Sequence, residues 1–292
     1  MSNQIIMLVQ AIINGLLLGG VFSLITVGLS LVYGVMKIIN FAHGELLMLG
    51  MYFTLTFSTF LGFGPYASLI LIVPLMFFLG IFVQQYLINP VIDAPHEIQI
   101  FLTLGLSLVV TNLALIVWGP DYQSISTRYF VKVIHIGPLT VGMARLAAFL
   151  FSIMATGLAY LLMKKTNLGK AIRASSDHKE GALLVGINVK RIYLITFGMG
   201  SVCAATAGAI ITPFYSITPH VGLAFVMYAF IIVVLGGMGS IIGSFYAAII
   251  ICVLGAVGAL YMPEGFKEVL VFTIFILIII IRPQGLLGEK ER

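Results

Sequence analysis

Residues 98–118 read IQIFLTLGLSLVVTNLALIVW and contain no charged side chain. At ~1.5 Å of rise per residue, a helix of this length crosses the ~30 Å hydrocarbon core of a lipid bilayer. A strand of a transmembrane barrel would instead alternate apolar and polar residues over a short run. Because the backbone of a segment in lipid must satisfy its own hydrogen bonds, this stretch predicts a membrane-spanning α-helix.

The composition of the whole chain supports this prediction. Of the 292 residues, 61% are apolar and 9% are charged, and the mean hydropathy is +1.15. Soluble domains carry roughly 25% charged residues, so a water-soluble fold of this size would lack polar side chains to cover its surface. The net charge of +5 does not indicate nucleic-acid binding, because the basic residues gather beside apolar stretches, as in membrane proteins. We therefore predict an all-α, polytopic transmembrane helical bundle in contact with the lipid bilayer.

Apolar runs separated by polar, Gly-rich or Pro-rich breaks mark the candidate spans. The runs are 8–33, 40–61, 66–88, 98–118, 141–163, 191–213, 222–237, 241–262 and 265–282. The first run is long for one span, and glycines interrupt the stretch 222–262. We therefore expect about 8–10 spans with broken or re-entrant segments, and we treat residues 1–292 as a single transmembrane domain. The N-terminus lacks the basic region of a signal peptide and is taken as mature structure.

Lysine and arginine residues predict the orientation of the chain. Residues 164–191 contain seven of the fifteen Lys and Arg residues, and the tail after residue 281 is also basic. Cytoplasmic loops are rich in these residues, so both segments are expected in the cytoplasm. Five spans would then precede the loop, which places the N-terminus and the segment 119–140 outside, although that segment carries two basic residues.

The cytoplasmic loop 164–191 contains a predicted short helix of about eight residues within Ser176–Asn188. Asp177 is placed to cap its N-terminus, with Glu180 three residues further on, and Gly186 is placed to stop it. The helix would expose the apolar side chains of Leu183, Leu184 and Val185. Such a face suits docking in a groove of a partner protein. The alternative is an amphipathic helix that rests on the lipid surface.

Two polar or glycine-rich interruptions are candidates for a translocation pathway. In the first, Asn40, His43 and Glu45 lie between two apolar runs, and an ionisable group within a span is by default a functional hypothesis. The alternative is a cytoplasmic turn in which Asn40 caps the next helix and Glu45 lies near its N-terminus. In the second, weak helix formers predict a turn or unwound segment. Interruptions in both halves of a transporter point to its pathway. The second group comprises Gly236, Gly237, Gly239 and Ser240.

No strong catalytic or metal-binding motif is visible in the sequence. The five histidines are isolated from one another, and Cys203 and Cys252 lie in apolar runs, as is typical of small buried hydrophobes. No Gly-rich loop ends in Lys-Ser/Thr, so nothing predicts ATP binding by this chain. A stand-alone channel or proton-coupled carrier would need ion-binding groups in mid-membrane, for which only Glu45 is a fair candidate. A membrane-embedded enzyme would need a catalytic set that is not visible.

The sequence of the predicted cytoplasmic helix resembles a known signature. Glu180-Gly181-Ala182-x-x-x-Gly186 is similar to the E-A-A-x-x-x-G motif of ABC importer permeases, with Gly181 in place of the usual Ala. Four further blocks resemble the branched-chain amino acid permeases of the LivH type, in the same order. They are Thr26–Gly50, Asn167–Ala174 together with Leu184–Asn188, Val234–Gly243 and Pro283–Gly288. The resemblance covers nearly the whole chain.

This resemblance implies a function and a set of partners. Such permeases work in a bacterial or archaeal inner membrane with a second, homologous permease, two cytoplasmic ABC ATPases and an extracytoplasmic substrate-binding protein. ATP and Mg²⁺ would bind to the ATPases, and this chain itself would bind no cofactor. The cargo would be leucine, isoleucine or valine, while relatives carry other amino acids, urea or short amides. The binding protein would largely determine which substrate is carried.

The resemblance also implies how the subunit works. Closure of the ATPase dimer would move the short cytoplasmic helix and reorient the pathway between its two sides. The residues expected at the ATPase contact include Glu180 as a polar anchor and two leucines that fill the groove. They are Asp177, Glu180, Gly181, Ala182, Leu183, Leu184 and Gly186.

Overall fold

The computed structural model describes residues 3–125, 132–263, 266–282 and 284–288. Within these ranges the chain forms eleven α-helices and one short β-hairpin. The helices are α1 (Asn3–Met36), α2 (His43–Leu61), α3 (Leu69–Val83), α4 (His96–Trp118), α5 (Met143–Lys165), α6 (Asn167–Asp177), α7 (Lys179–Leu184), α8 (Val189–Ile211), α9 (Val221–Gly236), α10 (Ile241–Tyr261) and α11 (Phe266–Ile281). A π-helical turn and a 3₁₀ turn, Gln84–Ile88 and Asn89–Val91, prolong α3.

Seven helices in the described ranges are long and apolar enough to span a membrane: α1, α2, α3 with its extension to Val91, α4, α5, α8 and α10. Two shorter apolar helices, α9 and the segment Glu268–Ile281 of α11, complete the set. Each of the nine predicted runs corresponds to one of these nine helices. The prediction of a polytopic helical bundle is confirmed.

A β-hairpin that the sequence did not predict lies between α4 and α5. Strand β1 (Val133–Ile136) pairs antiparallel with β2 (Leu139–Gly142), and Gly137 in the turn has a φ of 61°. The hairpin is fixed to the start of α1, because the Gln10 side chain donates to the Thr140 carbonyl at 2.7 Å and accepts from the Thr140 amide at 2.9 Å. We name this side of the bundle the hairpin side. The opposite side, which carries residues 164–191, is the loop side.

Small residues allow the central helices to pack closely. The central helix α8 is largely enclosed, since 78% of its most apolar 18-residue stretch is buried. The corresponding share in the peripheral helix α4 is 11%. Helix α1 packs against α10 through Gly15 and Gly19, which are four residues apart and therefore on one face of the helix. A Cβ added at Gly15 would lie 2.6 Å from the Val253 Cα, and one at Gly19 would lie 2.9 Å from the Ile249 Cα. These two glycines therefore let the helix backbones touch.

Helices α2 and α9 both begin inside the bundle. After Met36 the chain turns back, with Lys37 at a φ of 56°, and the His43 Nε2 atom lies 3.1 Å from the Ile25 carbonyl oxygen. The start of α2 therefore lies about 16 Å from the end of α1, measured along that helix. The backbones of Gly44 and Gly222 are in contact, so α9 begins at the same depth. The interior start of α2 coincides with the first interruption that the sequence predicted, at residues 40–45, whereas the interior start of α9 was not predicted.

Helices α2 and α9 run from this junction to opposite sides of the bundle. In α2, Thr56 accepts a hydrogen bond from the Trp118 indole at 3.1 Å, close to the hairpin-side end of α4. In α9, the last residues reach the loop side, where Gly239 packs against Gly34 near the end of α1. The N-termini of two oppositely directed helices therefore meet in the interior, an arrangement that transporters with inverted repeats use around their binding sites.

Candidate functional site

The loop 164–191 folds into two short helices rather than one. The Thr166 hydroxyl caps α6 by accepting a hydrogen bond from the Gly169 amide at 3.0 Å. Within α6, Ile172 and Ser175 are buried. Ser176 donates a hydrogen bond to the Gly34 carbonyl at 2.6 Å, which links α6 to the end of α1. The loop is therefore attached to the first membrane helix as well as to its own neighbours.

The residue that caps α7 is His178, and the prediction that Asp177 does so is wrong. Residue 178 is extended, with φ −151° and ψ 94°, and its Nδ1 atom accepts from the Gly181 amide at 3.2 Å. Asp177 cannot take this position because α6 continues through it, so the chain turns one residue later. Helix α7 has six residues, Lys179–Leu184, instead of the eight predicted. Gly186 has a φ of 84° and follows the end of the helix as predicted.

Helix α7 presents an apolar face that no part of the described chain covers. Leu183, Leu184 and Val185 are 53%, 89% and 75% exposed, whereas Ala182 is buried on the opposite face. Glu180 and Asp177 are also exposed. A Cβ at Gly181 would meet only the His178 ring, at an ordinary 3.5 Å, so the departure from the usual Ala has no steric cause. Of the predicted docking residues, Ala182 is therefore buried and cannot touch a partner, whereas most of the others are exposed.

An ion pair that the sequence did not reveal orients this helix. The Lys179 Nζ atom lies 2.7 Å from an Asp93 carboxylate oxygen, in the connection between α3 and α4. The hydrogen bond to Asp93 raises the pKa of Lys179 above its ordinary value. The two residues are 86 positions apart, so no local pattern could have connected them.

The first group of predicted pathway residues lies deep in the protein. Asn40 and His43 are fully buried and Glu45 is 2% exposed. Glu45 is 3.4 Å from the Thr111 hydroxyl, and Asn40 accepts from the Ala42 amide at 3.1 Å. One polar atom of each of the three side chains has no hydrogen-bond partner within the described chain. His43 lies beside the middle of α1, whereas the alternative interpretation placed it in a cytoplasmic turn.

The second group forms a tight turn on the loop side. Gly237 and Gly239 have φ values of 98° and 93°, which favour glycine, and the Ser240 hydroxyl caps α10 by accepting from the Gly243 amide at 3.0 Å. The tail covers this turn, because the Leu286 amide donates to the Leu235 carbonyl at 2.7 Å. The backbone conformation and close packing of this turn are therefore sufficient to explain the glycines, whether or not the turn lies near a pathway.

The structure does not bring the two predicted pathway groups together. Gly222, at the start of α9, touches Gly44, whereas Gly236 ends the same helix fourteen residues later. The two groups are therefore separated by about 21 Å along α9. Their part in translocation stays a prediction.

A cavity of about 420 Å³ opens near the hairpin side. Residues from α1, α5, α9, α10 and α11 line it, and none of the predicted pathway residues is among them. Asn14, Arg145 and Glu268 contribute polar groups to its wall. No local pattern predicts this cavity, because its lining residues are scattered from α1 to α11. Within the described ranges, no three His, Cys, Asp or Glu residues form a group that could hold a metal ion.

Comparison with known proteins identifies the family. Residues 11–279 match the family described as "Branched-chain amino acid transport system / permease component". The high-affinity branched-chain amino acid transport system permease protein LivH of Escherichia coli is 28% identical, with 100% of this chain and 99% of that protein covered. The corresponding permease BraD of Pseudomonas aeruginosa is 28% identical, with coverage of 97% and 96%.

A more distant relative comes from an archaeon. The probable branched-chain amino acid transport permease LivH of Methanocaldococcus jannaschii is 27% identical, over 91% of this chain and 88% of that protein. No solved structure matches the chain. The match to the family covers nearly every described helix, and seven of these helices are fit to cross a membrane. The chain is therefore a multi-pass protein of the cell inner membrane that belongs to the branched-chain amino acid transport system permease components, a family of transport permeases rather than enzymes.

Proposed function

We propose that this chain is the permease subunit of an ABC importer for branched-chain amino acids. It would form the translocation pathway with a second, homologous permease, and an extracytoplasmic binding protein would deliver leucine, isoleucine or valine. The main support is the similarity to LivH and BraD over essentially their whole length. The scarcity of charged residues, 9% of the chain, fits a neutral or zwitterionic cargo.

Two cytoplasmic ATPases would drive the cycle and hold ATP and Mg²⁺, because the sequence of this chain contains no phosphate-binding loop. The contact surface would be α7 with its flanking residues Asp177 and Gly186. Leu183 and Leu184 would enter a groove on the ATPase, and Glu180 would anchor the rim. Exposed apolar side chains such as these are typical of a surface that a partner covers, because their burial at the contact is favourable.

The coupling must change the relative stability of two states of the permease. The junction between α2 and α9 is a suitable place, because unpartnered polar atoms of Asn40, His43 and Glu45 gain hydrogen bonds when packing changes or water enters. We place these three residues near the pathway. The turn from Gly236 to Ser240 lies further towards the loop side and would move with the tail that covers it.

Uptake by the reconstituted complex tests this proposal. Proteoliposomes would contain this chain, the second permease and the ATPases, with the binding protein outside and ATP inside. We expect uptake of radiolabelled L-leucine that requires both ATP and the binding protein, and no uptake of urea. Leucine transport by this chain without ATP or the ATPases would refute the importer assignment. Transport of urea in place of leucine would refute the assigned cargo.

A further inference from the structure

The cavity on the hairpin side has the size and lining of a small-molecule site. Its volume of about 420 Å³ falls in the range of roughly 300–1,000 Å³ that is typical of ligand pockets. Along α1 the cavity extends over about 12 Å, from Asn14 near the hairpin side to Phe22 near the middle of the bundle. In the predicted orientation this side faces outwards, where a binding protein would release its cargo.

One wall of the cavity carries a guanidinium group. Arg145 lies in the first turn of α5, and its Nη1 atom donates to the Asn14 side-chain oxygen at 3.2 Å. The guanidinium also lies over the Phe214 ring, 5.9 Å from the centroid. Neither partner is charged, so the positive charge of Arg145 is not neutralised by them. The fork of remaining N–H groups matches a carboxylate.

Another wall carries a carboxylate. Glu268 lies in the first turn of α11 and lines the same cavity. It is exposed, and it forms no ion pair with the other described side chains. A carboxylate in this position attracts an ammonium group in the cavity.

Much of the remaining surface of the cavity is apolar and aromatic. Leu18, Phe22, Phe225 and Ile251 contribute to it, and the rings of Phe22 and Phe225 stack with their centroids 5.3 Å apart. Burial of an aliphatic side chain against such a surface is favourable at ~25 cal/mol per Å² of apolar area. The cavity therefore combines a cation, an anion and an apolar floor.

We propose that this cavity binds a free aliphatic α-amino acid during import. Arg145 binds the α-carboxylate, Glu268 binds the α-ammonium, and the apolar floor holds the side chain. This inference rests on the proposed function and extends it, since it assigns a recognition site to the permease itself. A membrane lipid is the competing occupant, and the experiments below distinguish the two.

The two native cysteines provide a reporter and its control. Both cysteines are buried, but Cys252 lines the cavity, whereas Cys203 lies next to Gly28 at the α1–α8 contact. Cys203→Ser leaves Cys252 as the reporter, and Cys252→Ser leaves Cys203 as the control. Ala224→Cys in the double-serine chain adds a second reporter at an exposed position of the cavity wall.

Labelling of the complete complex in membrane vesicles with N-ethylmaleimide tests occupancy. We expect millimolar L-leucine to slow labelling at Cys252 and at position 224 several-fold, without changing the rate at Cys203. Compounds that lack one charged group, 4-methylpentanoate and 3-methylbutylamine, should protect at least tenfold less well, as expected from the loss of a charge-assisted hydrogen bond. Arg145→Gln and Glu268→Gln should each abolish protection. Lys132→Gln, which removes a cation on the hairpin side outside the cavity, should leave protection unchanged.

Transport by the same variants separates this inference from the proposed function. Arg145→Gln and Glu268→Gln should lower the number of leucine molecules imported per ATP hydrolysed by tenfold or more, and Lys132→Gln should not. If the wild-type complex imports leucine and both charge variants import it as efficiently, the cavity is not the site, although the proposed function stands. If the wild-type complex imports no leucine, the proposed function fails. Equal protection by a phospholipid in wild type and Glu268→Gln would assign the cavity to lipid and overturn the inference.

Discussion

The contact between Gly44 and Gly222 predicts a large effect of a single methyl group. In Gly222→Ala the new Cβ would lie 2.8 Å from the Gly44 carbonyl carbon, 2.9 Å from its oxygen and 3.0 Å from the Glu45 amide nitrogen. All three atoms belong to the backbone, so no side chain can rotate away and the helix junction itself must move. Overpacking of this kind costs about 1–3 kcal/mol.

The matched control is Gly105→Ala in α4. Nothing lies within 4 Å of a Cβ built at Gly105, and the residue is in a helix interior. Alanine is favoured over glycine there by roughly 0.5–1 kcal/mol, so this variant should be neutral or slightly stabilised. The same chemical change therefore has opposite predicted signs at the two positions.

The thermal midpoint of the purified complex in detergent measures both effects. For a domain of this size, 1 kcal/mol corresponds to a shift of about 2–4 °C. Gly222→Ala should therefore unfold several degrees below wild type, and Gly105→Ala at or above it. A midpoint for Gly222→Ala equal to that of Gly105→Ala would refute the close contact between α2 and α9.

Three further predictions concern the loop side. Glu180→Lys combined with Leu183→Asp should release the ATPases in a detergent pull-down, because an unmatched charge replaces an apolar group at the docking face; continued co-purification with substrate-stimulated hydrolysis would show that α7 is not the contact. Asp93→Ala should lower stability by less than ~1 kcal/mol, an effect that fades at high salt, since its partner lysine is exposed; a loss of several kcal/mol in thermal melts would contradict this. Ser240→Ala should cost about 1 kcal/mol by leaving the Gly243 amide without its cap, and Ser240→Asn should restore most of it; equal midpoints for wild type and Ser240→Ala would exclude the cap.

The membrane helices could be predicted within a few residues because the thickness of a bilayer sets their length. The run 241–262 became Ile241–Tyr261, and the run 98–118 became His96–Trp118. An apolar run of this kind has polar residues, glycine or proline at its ends, and these are local signals in the sequence. The fold class follows from such signals alone.

Features that depend on distant contacts could not be predicted in the same way. The depth of His43 depends on how the chain returns after Met36, and the apolar pattern on either side is the same for a surface turn and for a re-entrant start. The cap of α7 moved from Asp177 to His178 because packing against α1 prolongs α6. Arg145 and Glu268 line one cavity only because α5 packs against α1 while α11 packs against α10 and α9, and neither residue lies in a recognisable motif.

The contacts of the loop suggest how a partner on α7 reaches the interior. Ser176 connects α6 to Gly34 at the end of α1, and Asn188 caps α8 directly after the docking face, accepting from a backbone amide at 3.0 Å. Helices α1 and α8 meet at Gly28, where an added Cβ would also lie 3.3 Å from the His43 ring. Because helices move as rigid units, displacement of the loop acts on both walls of the space that holds His43. We therefore predict that a partner bound at α7 acts on the packing around the start of α2.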